Sequence, residues 1–250
     1  MEIKFTNRFI FNRVLMNPKI CKKLIETLLK IKVEKIEYIE SEKSVESPYL
    51  NHGVRFDVYV KDSNKIYDIE LQTYDDDIPK RMRYYQSMMD MDCLMKGQEY
   101  SELKETFIIF ICTFDPFGQN QPCYLIQNKY YVEETKTFYD INDGAKKIVF
   151  NASAYEKEKD IEIKNFLKYT SSNKATGQFA IEINQIVERM KNSNSLREEV
   201  MFISDEIQYY RRKAREEGRE EGLLEGREEG REEGRLEVNR ENALKMLKDN

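Results

Sequence analysis

The sequence predicts an α/β domain with a helical C-terminal extension, on three observations. Residues 54–60 and 66–72 are two runs of strict alternation, separated by the short polar stretch 62–65, and read as a β-hairpin. A helical pattern follows, and then an apolar run rich in Ile and Phe at 106–114. From about Asp160 onward the periodicity is helical.

In chain order, residues 8–30 read as an amphipathic helix. Phe11, Leu15, Leu24 and Leu28 recur at near-helical spacing, and Pro18 kinks or splits the helix. Residues 33–39 are expected as the first strand. Residues 41–53, polar and containing Pro48 and Gly53, are expected as a loop. In the hairpin, Val54, Phe56, Val58 and Val60 fall on one face and Arg55, Asp57 and Tyr59 on the other. In its second strand, Tyr67, Ile69 and Leu71 oppose Asp68, Glu70 and Gln72. A helix is expected after 75–77, with Asp77 as cap and Pro79 in the first turn. Its stripe of Tyr84, Met88, Met91 and Met95 reads as core, and Gly97 as its stop. Residues 106–114 read as a buried strand, 115–122 as a loop, and 124–150 as further strands broken by a turn at 142–144. Helices are expected at 161–169, 178–191 and 196–213. The resulting division is a core with its strands (1–155), a helical region (156–213) and a charged tail (214–250).

Charge is unevenly distributed. Charged residues make up 35 % of the chain and the net charge is −5. Residues 215–237 hold five arginines and ten glutamates, so this segment carries −5 and the rest sums to zero. The acidic total therefore does not exclude a nucleic-acid partner, because distribution matters more than the sum. Residues 1–37 carry nine Lys or Arg against four Glu. That surplus can face phosphates, although charge alone favours a solvated helix face. The tail is an internal repeat of Arg-Glu-Glu-Gly and its variants, with glycines at 218, 222, 226, 230 and 234. Pairs such as Glu216–Arg219 and Glu228–Arg231 favour a helix slightly, and each glycine costs it about 1 kcal/mol. With almost no apolar face, the tail reads as a marginal, solvated helix that self-association can stabilise, and no chemistry is assigned to it.

The cysteines, Cys21, Cys93, Cys112 and Cys123, form no CxxC, and His52 is the only histidine. This argues against a zinc site and against a Cys–His nucleophile pair. Scattered thiols without a signal-peptide pattern fit a reducing cytosol, so a cytoplasmic location is expected. The longest apolar run, 107–112, is far short of a membrane span.

The hairpin carries the candidate chemistry. With a four-residue loop, Lys61 pairs with Ile66, Val60 with Tyr67 and, counting on, Asp57 with Glu70. Opposite Cβ atoms lie about 4.5–5.5 Å apart. Two carboxylates that close repel unless a cation sits between them or one takes a proton. Mg²⁺, bound through one or two carboxylates and several waters, suits that position. Gln72 points to the same side as Glu70 and can hydrogen-bond an attacking water, while the Leu71 carbonyl stays free to reach the metal. The competing reading is a sheet with a merely wet outer face. Against it stand the opposition of Asp57 and Glu70, the Glu-X-Gln spacing, and the strand, hairpin, helix and strand arranged around them. Asp68 is expected to be solvated and His52 to lie exposed in a loop. Arg81 and Tyr85, one helical turn apart, fit either a phosphate clamp or a core-edge tyrosine beside a solvated arginine.

The run Asp57 … Glu70-Leu71-Gln72 resembles the D…(D/E)XK signature, with Gln in the lysine position. Arg55-Phe56-Asp57-Val58-Tyr59-Val60, Tyr67-Asp68-Ile69-Glu70-Leu71-Gln72, Arg81 and Tyr85 add to it. So do Phe5-Thr6-Asn7-Arg8-Phe9-Ile10-Phe11, Phe110-Ile111-Cys112-Thr113-Phe114-Asp115-Pro116-Phe117-Gly118 and the Glu-Gly tail. Over essentially its whole length the chain is similar to the recombination-promoting nuclease (Rpn) or transposase family of the PD-(D/E)XK nuclease superfamily. The resemblance implies a restriction-endonuclease-like core, a mixed sheet flanked by helices. It implies a divalent-metal-dependent endonuclease acting on DNA, double-stranded by expectation, and linked to recombination or transposition. Asp57 and Glu70 would hold Mg²⁺ or Mn²⁺ with the Leu71 carbonyl, Gln72 would take the lysine position, and Arg81, Tyr85 and Arg55 would contact substrate. Two positions depart from the pattern. Gln72 brings no positive charge, which argues for modest activity, and Arg8 stands where members often have an acidic residue. Paired cuts in a duplex would favour a homodimer, which the tail could aid. The alternative is a catalytically weak or inactive module of the same fold that binds nucleic acid and assembles. RNA is a third substrate reading, since no residue selects the sugar.

Overall fold

A computed structural model describes residues 3–45 and 53–194, with scattered positions from 196 to 235. His52 lies outside the described residues. The chain divides into two compact units, Met1–Ser193 and Asn194–Asn250.

The first unit opens with two helices where one interrupted helix was expected. Helix α1 spans Arg8–Leu15 and α2 spans Pro18–Leu29. Each starts on an asparagine, Asn7 and Asn17, whose side-chain oxygen accepts from two backbone N–H groups of the first turn. Pro18 opens α2, where its missing N–H costs nothing. Lys30 ends α2 in the left-handed region at φ 54°.

The expectation of a strand at 33–39 is corrected. Val33 is buried, but its N–H donates to the Glu26 side chain at 3.0 Å instead of entering a ladder. Strand β1 is Tyr38–Val45 and takes over the first part of the expected loop. It is an edge strand with half-exposed, charged side chains, so it lacks the apolar alternation that marks a buried strand.

Strands β2 (Val54–Lys61) and β3 (Lys65–Gln72) form the expected hairpin, with Lys61 opposite Ile66 and Val60 opposite Tyr67. Helix α3 (Ile78–Cys93) then crosses to β4 (Glu105–Cys112), which lies parallel to β3. A parallel neighbour requires such a crossover. After β4 come β5 (Cys123–Ile126), a hairpin of β6 (Lys129–Val132) and β7 (Thr137–Asp140), and β8 (Ala145–Asn151). The turn before β8 has Asn142 at φ 54° and Gly144 at φ 77°. The main sheet is mixed and, among the described residues, six-stranded in the order β1-β2-β3-β4-β8-β5. Helices α4 (Ile161–Ser172) and α5 (Gln178–Lys191) complete the unit. Phe5, Phe11, Phe166, Tyr169 and Phe179 pack as an aromatic cluster that joins them to α1.

Two expectations of facing are overturned. Asp68, expected to be solvated, is fully buried, as is Tyr59, and with Asp57, Glu70 and Gln72 nearly so the polar face of the hairpin is covered. The strict alternation of β2 also breaks. Ser41 pairs with Val58 and Lys43 with Phe56, while Glu42 between them has φ 57°. Phe56 and Tyr59, three residues apart, share the core under α3 with ring centroids 5.3 Å apart, and Val58 and Val60 are not in it. The side-chain phase of β2 therefore shifts between Phe56 and Tyr59. The stripe predicted for α3 is displaced as well. Ile78, Met82, Met88 and Met89 are buried, while Tyr84, Met91 and Met95 are exposed and Met95 lies past the helix end. Arg81, Tyr85 and Gln86 occupy inward positions because the sheet below them offers polar partners.

In the second unit the described positions are helical as far as Arg235, and those from Phe202 onward are exposed. No helix among the described residues is long and apolar enough to cross a membrane. All four cysteines are free.

Candidate active site

Asp57, Glu70, Gln72, Arg81 and Tyr85 come together where the β2–β3 ladder ends. The paired ladder runs from Lys61–Ile66 to Val58–Ile69. One residue further on, side chains replace backbone partners. The Asp57 N–H donates to Glu70 Oε1 at 2.6 Å, and the Leu71 N–H donates to Asp57 Oδ2 at 3.2 Å. Each carboxylate is thus held by the strand opposite its own. Arg8, at the start of α1, reaches Asp57 Oδ1 at 2.5 Å.

Helix α3 closes the site from above. Arg81 donates to Gln72 Oε1 at 2.7 Å, to Glu70 Oε2 at 3.4 Å and to the Tyr85 hydroxyl at 2.9 Å. Its guanidinium lies 5.3 Å from the Tyr85 ring centre and 5.5 Å from that of Phe110. Gln72 Nε2 donates to Glu70 Oε2 at 3.3 Å, so the Gln72 amide links Arg81 to Glu70. Arg81 keeps 23 % of its side chain exposed. Arg55 sits on β2, exposed, and takes no part in this network.

The electrostatics are those of negative charge held in a dry place. Burial, followed by the charge of Asp57, pushes Glu70 up to about 8. Burial also raises Asp57, against the opposing pull of Arg8 and the Leu71 N–H. Asp68, expected to be solvated, is fully buried and neither of its oxygens has a hydrogen-bond partner among the described residues. Burial and the charges of Glu70 and Asp57 raise it well above the usual carboxylate range. A protonated Asp68 can donate to its neighbour Glu70, which removes the conflict. Sequence reasoning missed Asp68 although the signal was present: it shares strand parity with Glu70, so whatever covers one covers the other. Arg8 had no local signal as a partner of Asp57, since the contact spans 49 positions of chain.

No cluster of three or more His, Cys, Asp or Glu among the described residues is placed to hold a metal ion. The donor set nevertheless fits a hard divalent cation. Asp57 and Glu70 could supply carboxylate oxygens once deprotonated, and Mg²⁺ needs only one or two carboxylates because it keeps several waters. A cavity of about 440 Å³, lined by Phe9, Asn12, Arg13, Met16, Asn17, Ser41 and Glu42, lies beside α1 and shares no lining residue with the network.

Comparison with curated proteins and with solved structures finds no match. The family described as PD-(D/E)XK nuclease family transposase matches residues 4–219. That span covers most of the 250 residues, including every member of the network, and the chain therefore belongs to the PD-(D/E)XK nuclease transposase family.

Proposed function

We propose that this protein is a divalent-metal-dependent endonuclease that cleaves DNA phosphodiester bonds in recombination or transposition, acting in the cytoplasm on duplex DNA and as a homodimer. One observation carries the reading. Asp57 and Glu70 meet where the hairpin ladder ends, almost fully buried, with Gln72 and Arg81 bonded around Glu70. Asp57 and Glu70 would hold Mg²⁺ or Mn²⁺, with the Leu71 carbonyl as a further oxygen ligand. The bound ion would supply Lewis acidity and an activated water. Gln72 positions that water through its amide. An amide has no charge to set against the phosphate, but Arg81 lies one hydrogen bond away from it and brings one. Arg81 and Tyr85, with Arg55 further out, orient the phosphate. The fork of Arg81 suits two phosphate oxygens once it leaves Gln72 and Glu70.

A plasmid-nicking assay in Mg²⁺, Mn²⁺ or EDTA tests this on the native chain and Asp57→Asn. Nicking should require metal and fall by more than about 100-fold in the variant, since even outer-shell changes at metal sites cost about 10–100-fold. Metal-independent nicking, or nicking that Asp57→Asn leaves intact, would refute the assignment. A second reading is favoured by the pairing of both carboxylates with arginines, Arg8 on Asp57 and Arg81 on Glu70. In that reading the chain binds nucleic acid and assembles but does not cut. Intact plasmid in all three conditions, together with a salt-sensitive gel shift, would select it.

A further inference from the structure

We propose that Arg8 competes with the divalent cation for Asp57 and thereby sets the metal affinity of the site. The inference rests on the reading of Asp57 as a metal ligand. The two oxygens of Asp57 are held differently. Oδ2 is fixed by a backbone donor, the Leu71 N–H at 3.2 Å. Among the described residues Oδ1 has no hydrogen-bond partner and is met by the Arg8 guanidinium as an ion pair at 2.5 Å. The Asp57 side chain is 3 % exposed and that of Arg8 is 45 % exposed. One partner is anchored in the sheet and the other can swing into solvent.

Helix α1 gives no reason of its own for a cation at this place. Arg8 is the first residue of α1, and the first turn holds no acidic residue. A positive charge at a helix N-terminus is opposed by the macrodipole. The attraction that keeps Arg8 there comes from Asp57. A guanidinium and a divalent ion compete for that oxygen, because two cations brought that close repel each other. Metal binding and the Arg8–Asp57 contact are then coupled, and each weakens the other by the same factor.

Isothermal titration of the full chain with Mn²⁺ reads the coupling directly, on native protein, Arg8→Gln, Arg8→Lys and Asp57→Asn. Arg8→Gln should bind Mn²⁺ about tenfold more tightly, within the roughly 5–150-fold usual for linked sites. Arg8→Lys keeps a competing cation and should stay near native affinity, while Asp57→Asn should lose the site. A second readout needs no variant that removes the charge. In ¹⁵N spectra of the native chain, the Arg8 Nε–H signal, assigned through Arg8→Lys, should shift to a solvent-like position as Mg²⁺ is added. Native affinity in Arg8→Gln, or an Arg8 signal unmoved at saturating Mg²⁺, would overturn the competition while leaving Asp57 a ligand. Absence of Mn²⁺ binding in both native protein and Arg8→Gln would overturn the metal site itself, and the competition with it.

Discussion

Glu70 is 1 % exposed, and its two oxygens share three donors: the Asp57 N–H, Gln72 and Arg81. Those contacts favour its charged form, yet burial and Asp57 outweigh them and lift it from 4.5 to about 8. A raised acid is stabilised neutral in the fold. Its contribution is therefore complete below about 4.5 and is lost as pH rises through about 8. Urea unfolding in EDTA should show stability falling between those limits, by an amount on the order of a few kcal/mol. Glu70→Gln, neutral at every pH, should remove the Glu70 share of the slope and leave that of Asp57 and Asp68, and equal slopes in the two proteins would contradict it. On the proposed reading a metal would take the place of the proton, so Mg²⁺ should protect most at the alkaline end. Asp57 and Glu70 were legible because the four-residue loop sets a register that holds as far as Val58–Ile69, one residue short of them. Asp68 was misread for want of knowing what lay above β3. Arg8 was illegible as a partner because no local pattern links α1 to β2.

Helix α3 shows what a helix looks like when it packs on a polar stretch of sheet. Gln86, 8 % exposed, donates to Thr106 Oγ1 at 2.8 Å and to Asp90 Oδ1 at 2.9 Å. Toward its C-terminal end, Asp92 accepts from Lys43 at 2.5 Å, the Tyr59 hydroxyl at 2.9 Å and Lys61 at 3.2 Å, tying the helix to β1 and β2. A stripe sought among apolar residues alone was therefore displaced, since the inward positions at 81, 85 and 86 belong to Arg, Tyr and Gln. Strand β1 escaped for the same reason, as a charged edge has no apolar period to read. The Gln86–Thr106 contact offers a clean test of polar docking. Thr106→Val preserves shape but strands a buried N–H of Gln86, and should cost about 1–3 kcal/mol in urea unfolding. Adding Gln86→Leu removes the stranded donor and should recover much of that loss. Additive losses would mean that each side chain acts alone, against the docking argument.

At the scale of the molecule, the strand order β1-β2-β3-β4-β8-β5 joins a local meander to parallel pairings that skip along the chain. The meander could be read from short-range alternation. The pairing of β4 with β8 could not, because the β5 strand and the β6–β7 hairpin intervene and no local pattern measures so long a separation. The second unit poses the opposite case, a regular repeat with little packing. Each of Gly218, Gly222, Gly226, Gly230 and Gly234 has open space where a Cβ would stand, and none has a positive φ. Close approach and backbone geometry therefore do not explain them among the described residues. What glycine does there is weaken the helix, by about 1 kcal/mol relative to alanine at each position. Replacing all five with alanine should raise the helical circular-dichroism signal of the full chain and leave the urea midpoint of the first unit unchanged. If the tail drives self-association, the same variant should also shift sedimentation toward the larger species at lower protein concentration, because less ordering entropy opposes assembly. An unchanged helical signal would mean that the tail is already ordered by a partner surface, and the marginal-helix argument would fall.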